Sequence, residues 1–150
     1  MKKIVFVILP IFLFAQNSCD KCYLNKAQIK CDYYVAKNAD LSKIDFCKEH
    51  ASYLREAKAY SKSAWYYLLS KEPKLAIESA KKAIALGQDY ALEYLADAYL
   101  IEGNRQKAKK YYSRLKKSSS KIDSIVEKNF SILDRLYKEF NKKEAMKFLK

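Results

Sequence analysis

Two glycines, Gly87 and Gly103, and one proline, Pro73, are all the residues of those types between positions 16 and 150 of this 150-residue chain. Glycine and proline punctuate strands and tight hairpins. A chain with so few cannot supply the frequent turns of an all-β fold. Its runs of Ala, Leu, Lys, Glu and Tyr favour helix, and no segment sustains a two-residue alternation. The sequence therefore predicts an all-α protein in which the two glycines mark helix ends.

Between the glycines, Leu92, Leu95, Ala96, Tyr99 and Leu100 recur at three- and four-residue steps, one apolar face of one helix. Gly103 follows as a helix-ending residue. A second helix is predicted from about Arg105, with Ala108, Tyr111, Tyr112 and Leu115 on one side, and it fades at Ser118, Ser119 and Ser120. The short link from Ile101 to Asn104 makes these two a tight antiparallel pair. Upstream, Tyr60, Ala64, Tyr67 and Leu68 mark one helix. Lys71 to Lys74 is a break, and Leu75, Ala76, Ile77, Ala80, Ala83, Ile84 and Leu86 mark the next. Pro73 suits a helix start. Downstream, Ile122, Val126, Phe130, Leu133, Leu136 and Tyr137 mark another helix. Asn141 is the turn, and Ala145, Met146 and Leu149 open a last short helix. A period of roughly 32 to 38 residues per helix pair is the signature of a helical solenoid.

Leu92, Leu95, Ala96, Tyr99, Gly103, Ala108, Tyr112 and Leu115 resemble the consensus of a tetratricopeptide repeat. Leu115 is larger than the alanine usual there. The upstream unit agrees at Tyr60, Ala64, Tyr67, Ala76 and Ala83, with Ser63 in place of an aliphatic and Ala80 in place of an aromatic. The proline between repeats is absent. Ala85, Leu86 and Gly87, followed by Ala91, Leu95 and Ala96, resemble instead the junction of Sel-like repeats. The resemblance covers about Ala57 to Lys150, divided as 57–88, 89–120 and a truncated 121–150. It implies a right-handed stack of helical hairpins whose first helices line a concave binding surface. Carried onto this chain, that surface includes Lys58, Ser61, Trp65, Leu68, Tyr90, Glu93, Asp97 and Leu100, then Lys128, Ser131, Arg135 and Lys138. This gives an aromatic strip, an acidic patch and a basic patch, suited to an extended peptide.

The N-terminus decides where such a protein works. Met1, Lys2 and Lys3 form a short positive segment, Ile4 to Ala15 is apolar, and Gln16, Asn17 and Ser18 are polar. This is the layout of a secretory signal peptide, here 1–15 with cleavage after Ala15. The apolar run is well short of the ~20 residues of a membrane-spanning helix. A periplasmic or secreted protein is expected. The alternative is a lipid-anchored form acylated at Cys19, which Ser18 suits and Gln16 does not. Removal of the signal takes Lys2 and Lys3 with it and lowers the net charge from +13 to +11. An exported chain whose lysines are dispersed, with no run longer than two, reads as a solvated lysine-rich surface, not as a nucleic-acid binder. Its charge would favour an acidic partner, such as anionic lipid, a cell-wall polymer or an acidic protein face.

Cys19, Cys22, Cys31 and Cys47 all precede the repeats, in a region, 16–56, that reads as a further hairpin. Helices from about Cys22 to Lys37 and Leu41 to Lys58 would flank a turn at Asn38 to Asp40, with Asp40 as cap. Cys31 and Cys47 lie about equally far from that turn and are placed to bridge the two helices. Cys22 cannot reach Cys31 along one helix, where nine residues span about 13 Å. Cys19 and Cys22 form a C-x-x-C, read as a local disulfide. A thiol-disulfide exchange site is the sharper alternative. Zinc is disfavoured by export, and Tyr23 stands where haem attachment requires histidine.

Nothing in the chain forms a catalytic set. His50 is the only histidine and reads as a packed helix residue. Trp65 is the only tryptophan, either packed between repeats or an anchor in the groove. The resemblance extends, through one cysteine-bridged hairpin, to exported repeat proteins some of which act on β-lactams. Serine with lysine three residues later occurs at Ser18, Ser79, Ser113 and Ser118, an expected accident in so lysine-rich a chain. The expectation is a non-enzymatic module without cofactor or metal, binding a protein or peptide of the cell envelope. It would meet a membrane only if Cys19 is lipidated.

Overall fold

The computed structural model describes residues 22–118 and 124–149. The expected signal segment 1–15, Cys19, and the Ser119 and Ser120 break lie outside these residues. Among the described residues every regular element is helical. Helix α1 covers 22–37, α-helical to residue 30 and π-wound over Cys31–Lys37. A single 3₁₀ turn, Leu41–Lys43, leads into α2, Ile44–Glu56. Then follow α3 (Tyr60–Leu69), α4 (Pro73–Ala85), α5 (Ala91–Ile101), α6 (Arg105–Ser118), α7 (Ser124–Leu136) and α8 (Lys142–Leu149).

Local chemistry sets these boundaries. Asp40 Oδ1 accepts from the Ser42 backbone N–H at 3.0 Å and so caps the turn into α2. Asn104 and Asn141 do the same for α6 and α8, accepting from the N–H of Lys107 and Glu144. Pro73 occupies the first turn of α4, where a missing N–H costs nothing. The first five helices all end on a residue in the left-handed region: Ala39, Lys58, Lys71, Gly87 and Gly103, with φ between 55° and 78°. At each end the following N–H reaches back to a carbonyl of the last turn, as in Asn104 to Tyr99 and Glu72 to Tyr67. Three of the five caps lack glycine. This is why the sequence offers so few turn signals for so many turns.

Successive helices pack as a row of pairs, α3 on α4 and α5 on α6, with α2 against α3 and α4 against α5. Small residues stand where backbones approach: Ala64, Ala76, Ala96 and Ala108 are all fully buried. Ser63 is buried too, because its Oγ donates to the Ala51 carbonyl at 2.9 Å and ties α3 to α2. Cys31 and Cys47 form a disulfide that pins α1 to α2, with the α-carbons 4.9 Å apart. Cys22 is exposed.

Helix α7 departs from the row. It reaches back over α5 and α3 to the end of α1. Phe130 packs edge-on against Tyr112 of α6. The Tyr137 hydroxyl donates to the Leu68 carbonyl at 2.6 Å, and Lys71 Nζ donates to the Leu136 carbonyl at 2.7 Å. Each of the helices α3 and α7 thus has a terminal carbonyl satisfied by the other's neighbouring side chain. Lys71 also sits 4.1 Å above the Tyr137 ring. The Arg135 guanidinium closes the contact, donating to the carbonyls of Ala36 and Lys37 at 2.7 and 3.0 Å. A cation on the exposed C-terminal carbonyls of α1 also meets the negative end of that helix's dipole.

Candidate functional site

With α7 laid across the inner face, the residues that the repeat resemblance placed in an open groove divide into three groups. Ser61, Leu68, Glu93, Asp97 and Leu100 are buried. Lys58, Tyr90 and Lys138 are exposed, Lys58 as the left-handed cap of α2, Tyr90 just before α5 and Lys138 in the turn after α7. Trp65 and Arg135 line a cleft, and Lys128 and Ser131 line it with them.

The buried group forms a polar centre under α7. Asp97 is fully buried and accepts a hydrogen bond from the Tyr112 hydroxyl. Its second oxygen, Oδ2, has no partner among the described residues. Glu93, one turn earlier on α5, is also buried and accepts from Asn129 Nδ2 of α7 at 2.9 Å. Burial, reinforced by the neighbouring Glu93, holds the Asp97 carboxyl well above the usual carboxylate range. Burial likewise raises the Tyr112 phenol, with Asp97 adding to it. These side chains fasten α5, α6 and α7 to one another, and of them Asn129 also lines the neighbouring cleft.

The cleft lies where α7 stops short of sealing α1 to α3. Its volume is about 740 Å³, within the range of ligand-holding clefts, roughly 300–1,000 Å³. Trp65 and Tyr66 of α3 form one wall, Asp32 and Ala36 of α1 the second, and Ile125, Lys128 and Ile132 of α7 the third. Trp65 is half-buried, its ring 5.7 Å from that of Tyr94 on α5. The Tyr66 hydroxyl donates to both Asp32 oxygens, at 3.1 and 3.3 Å. Asp32 keeps an exposed edge, so the desolvation that raises its carboxyl is partial, and the Tyr66 bond opposes it. Behind this pair the buried His50 ring stands edge-on to Tyr66 at 4.5 Å. Desolvation lowers the His50 imidazole, against the pull of Asp32. His50 is thus a packed residue at the back of the cleft wall.

Lys37, Lys128 and Arg135 bring positive charge to the rim, and among the described lining residues Asp32 alone opposes them. The cleft therefore offers an aromatic surface beside a cationic edge. The four-residue spacing of Lys128 and Ile132 places both on one face of α7, but the sequence pattern does not say that this face meets α1. No group of three or more potential metal ligands occurs among the described residues, and no described helix is long and apolar enough to cross a membrane. No protein-family model, curated protein or solved structure matches the chain.

Proposed function

We propose that the chain is an exported protein-interaction module, a short right-handed stack of tetratricopeptide-like hairpins behind a disulfide-bridged first hairpin. It serves in, or assembles, a complex of the cell envelope. The observation that carries this reading is the cleft between α1, α3 and α7, with its half-buried tryptophan and cationic rim. Trp is the residue type most concentrated at binding hot spots, and a partly exposed Trp beside apolar Ile125 and Ile132 would take an apolar side chain. Lys37 and Lys128 would meet carboxylates of the same segment. The partner is thus an extended, acidic peptide segment. The buried alanines of the helix seams support the repeat reading. The apolar run from Ile4 to Ala15 supports export, and the Cys31–Cys47 bridge suits an oxidising compartment.

The test is partner capture by crosslinking in cells, comparing the wild-type chain with Trp65→Ala and Lys128→Glu. Lys128 is exposed, so Lys128→Glu should melt within a few degrees of wild type. Trp65 also packs on the core, so capture by Trp65→Ala is read at a temperature where circular dichroism shows it folded. A partner crosslinked by the wild-type chain should be lost or several-fold weaker with either variant. Equal capture by all three proteins would refute the cleft as the binding site.

A further inference from the structure

The positive charge of this protein is unevenly placed. Residues 22–104 carry 12 basic and 11 acidic side chains, and 124–141 carry three of each. Helix α6 has seven basic residues and no acidic one, and α8 has three basic residues and one acidic one, Glu144. Glu144 is itself paired with Arg105 at 2.8 Å. Nine of the ten net charges on the described residues therefore lie on two helices. Those helices pack side by side at one end of the fold.

Between them runs a groove of about 710 Å³, lined by Lys109, Ser113, Lys116, Lys117, Lys147 and Phe148. Lys109, Lys116, Lys117 and Lys147 are exposed, and Phe148 is half-buried along the floor. Helix α6 has 14 residues, so its basic face extends over about 21 Å. Eight of the ten cations on the two helices are lysines. A lysine is a flexible point charge that suits a diffuse field of anions, whereas planar, bidentate recognition of a particular carboxylate or phosphate calls for arginine. Clusters of four to eight basic residues on a helical face are the arrangement that holds a protein to an anionic bilayer.

We propose that the α6–α8 face is a docking surface for anionic phospholipid membranes. The membrane presents charge as a plane, which matches a broad lysine field better than a single acidic segment would. Such contact requires no acyl anchor at Cys19. It is also independent of the cleft, which is built from α1, α3 and α7.

The test is co-sedimentation of the full chain with vesicles of phosphatidylglycerol and phosphatidylcholine, against vesicles of phosphatidylcholine alone. The variant Lys109→Gln/Lys117→Gln/Lys147→Gln is compared with Lys43→Gln/Lys74→Gln/Lys81→Gln, which removes the same charge from the balanced part of the fold. All six lysines are exposed, and Lys→Gln preserves helix propensity. Each basic residue at a bilayer surface contributes about a fivefold factor, so the first variant should lose about a hundredfold in partitioning to anionic vesicles. The second should lose several-fold at most. Binding should weaken steeply with salt. Three results would overturn the proposal: equal loss in both variants, equal binding to both vesicle types, or tighter binding to soluble polyglutamate than to anionic vesicles at the same charge concentration. The last would assign the face to an acidic protein instead.

Discussion

Replacing Asp97 by asparagine tests the buried centre of the fold. Asp97 is fully buried, one oxygen receives the Tyr112 hydroxyl, and the buried Glu93 lies one turn away. Its carboxyl is held above the ordinary value of 3.8, so the folded state keeps a proton that the unfolded chain releases. Below pH 3.8 both states are protonated and Asp97 adds no pH dependence. As pH rises above 3.8 the unfolded chain loses its proton first, and stability falls until the folded carboxyl also ionises. While the folded carboxyl stays protonated the fall approaches about 1.4 kcal/mol per pH unit, or about 2.7 kcal/mol over two units. Asparagine is nearly isosteric with the protonated acid and still accepts from Tyr112, but it cannot ionise. Near pH 4 the variant should lie within about 1 kcal/mol of wild type, the scale of one altered hydrogen bond. At neutral pH it should be the more stable protein. The assay is urea unfolding at pH 4, 5, 6, 7 and 8, followed by circular dichroism. The quantity read is the difference between the two proteins at each pH, in which contributions from Asp32 and His50 cancel. A difference that does not change with pH, or that moves against the variant as pH rises, would refute the reasoning.

Two further outcomes follow from the helix ends and the bridge. Gly103 has φ +76° with open space around its α-carbon, so Gly103→Ala should cost about 1 kcal/mol in thermal unfolding through backbone strain alone. Lys58, in the same conformation and exposed, should tolerate Lys58→Gly without loss. The Cys31–Cys47 bridge closes a sequence separation of 16. Cys31→Ala/Cys47→Ala should lower stability by about 3 kcal/mol in denaturant unfolding, with α1 the first segment to exchange amide protons.

Much of the local structure could be read from residue spacing. The α5–α6 pair is visible because Leu92, Leu95, Ala96 and Tyr99 repeat with the helical period and Gly103 ends the run. Ten of the 11 residues of α5 are buried and Tyr94 is half-buried, so its pattern is little diluted by solvent-facing residues. The Cys31–Cys47 bridge could be expected because a two-helix hairpin brings residues equidistant from its turn together. The caps at Ala39, Lys58 and Lys71 were not legible, since these residues adopt the left-handed conformation only when the rest of the fold demands it. The groove residues show the limit most clearly. Glu93 and Asp97 read as an acidic patch open to a partner, because the repeat resemblance implies that this face of α5 lines a concave surface. Both are interior, where Glu93 accepts from Asn129 and Asp97 from Tyr112, and burial raises the Asp97 carboxyl.

The amino-acid sequence by itself determined the helices, most of their ends, the covalent clamp and the excess of basic residues. These depend on neighbours a few positions apart, where periodicity, capping and spacing act directly. The tertiary structure decided where α7 goes. Its apolar face has the same period whether it stacks next in the row or folds back over α5 and α3. What selects the second course is a set of contacts 65 to 99 residues apart, from Lys71 to Leu136, Leu68 to Tyr137 and Ala36 to Arg135. That choice buries the expected groove, leaves the cleft beside Trp65, and turns the basic faces of α6 and α8 outward together.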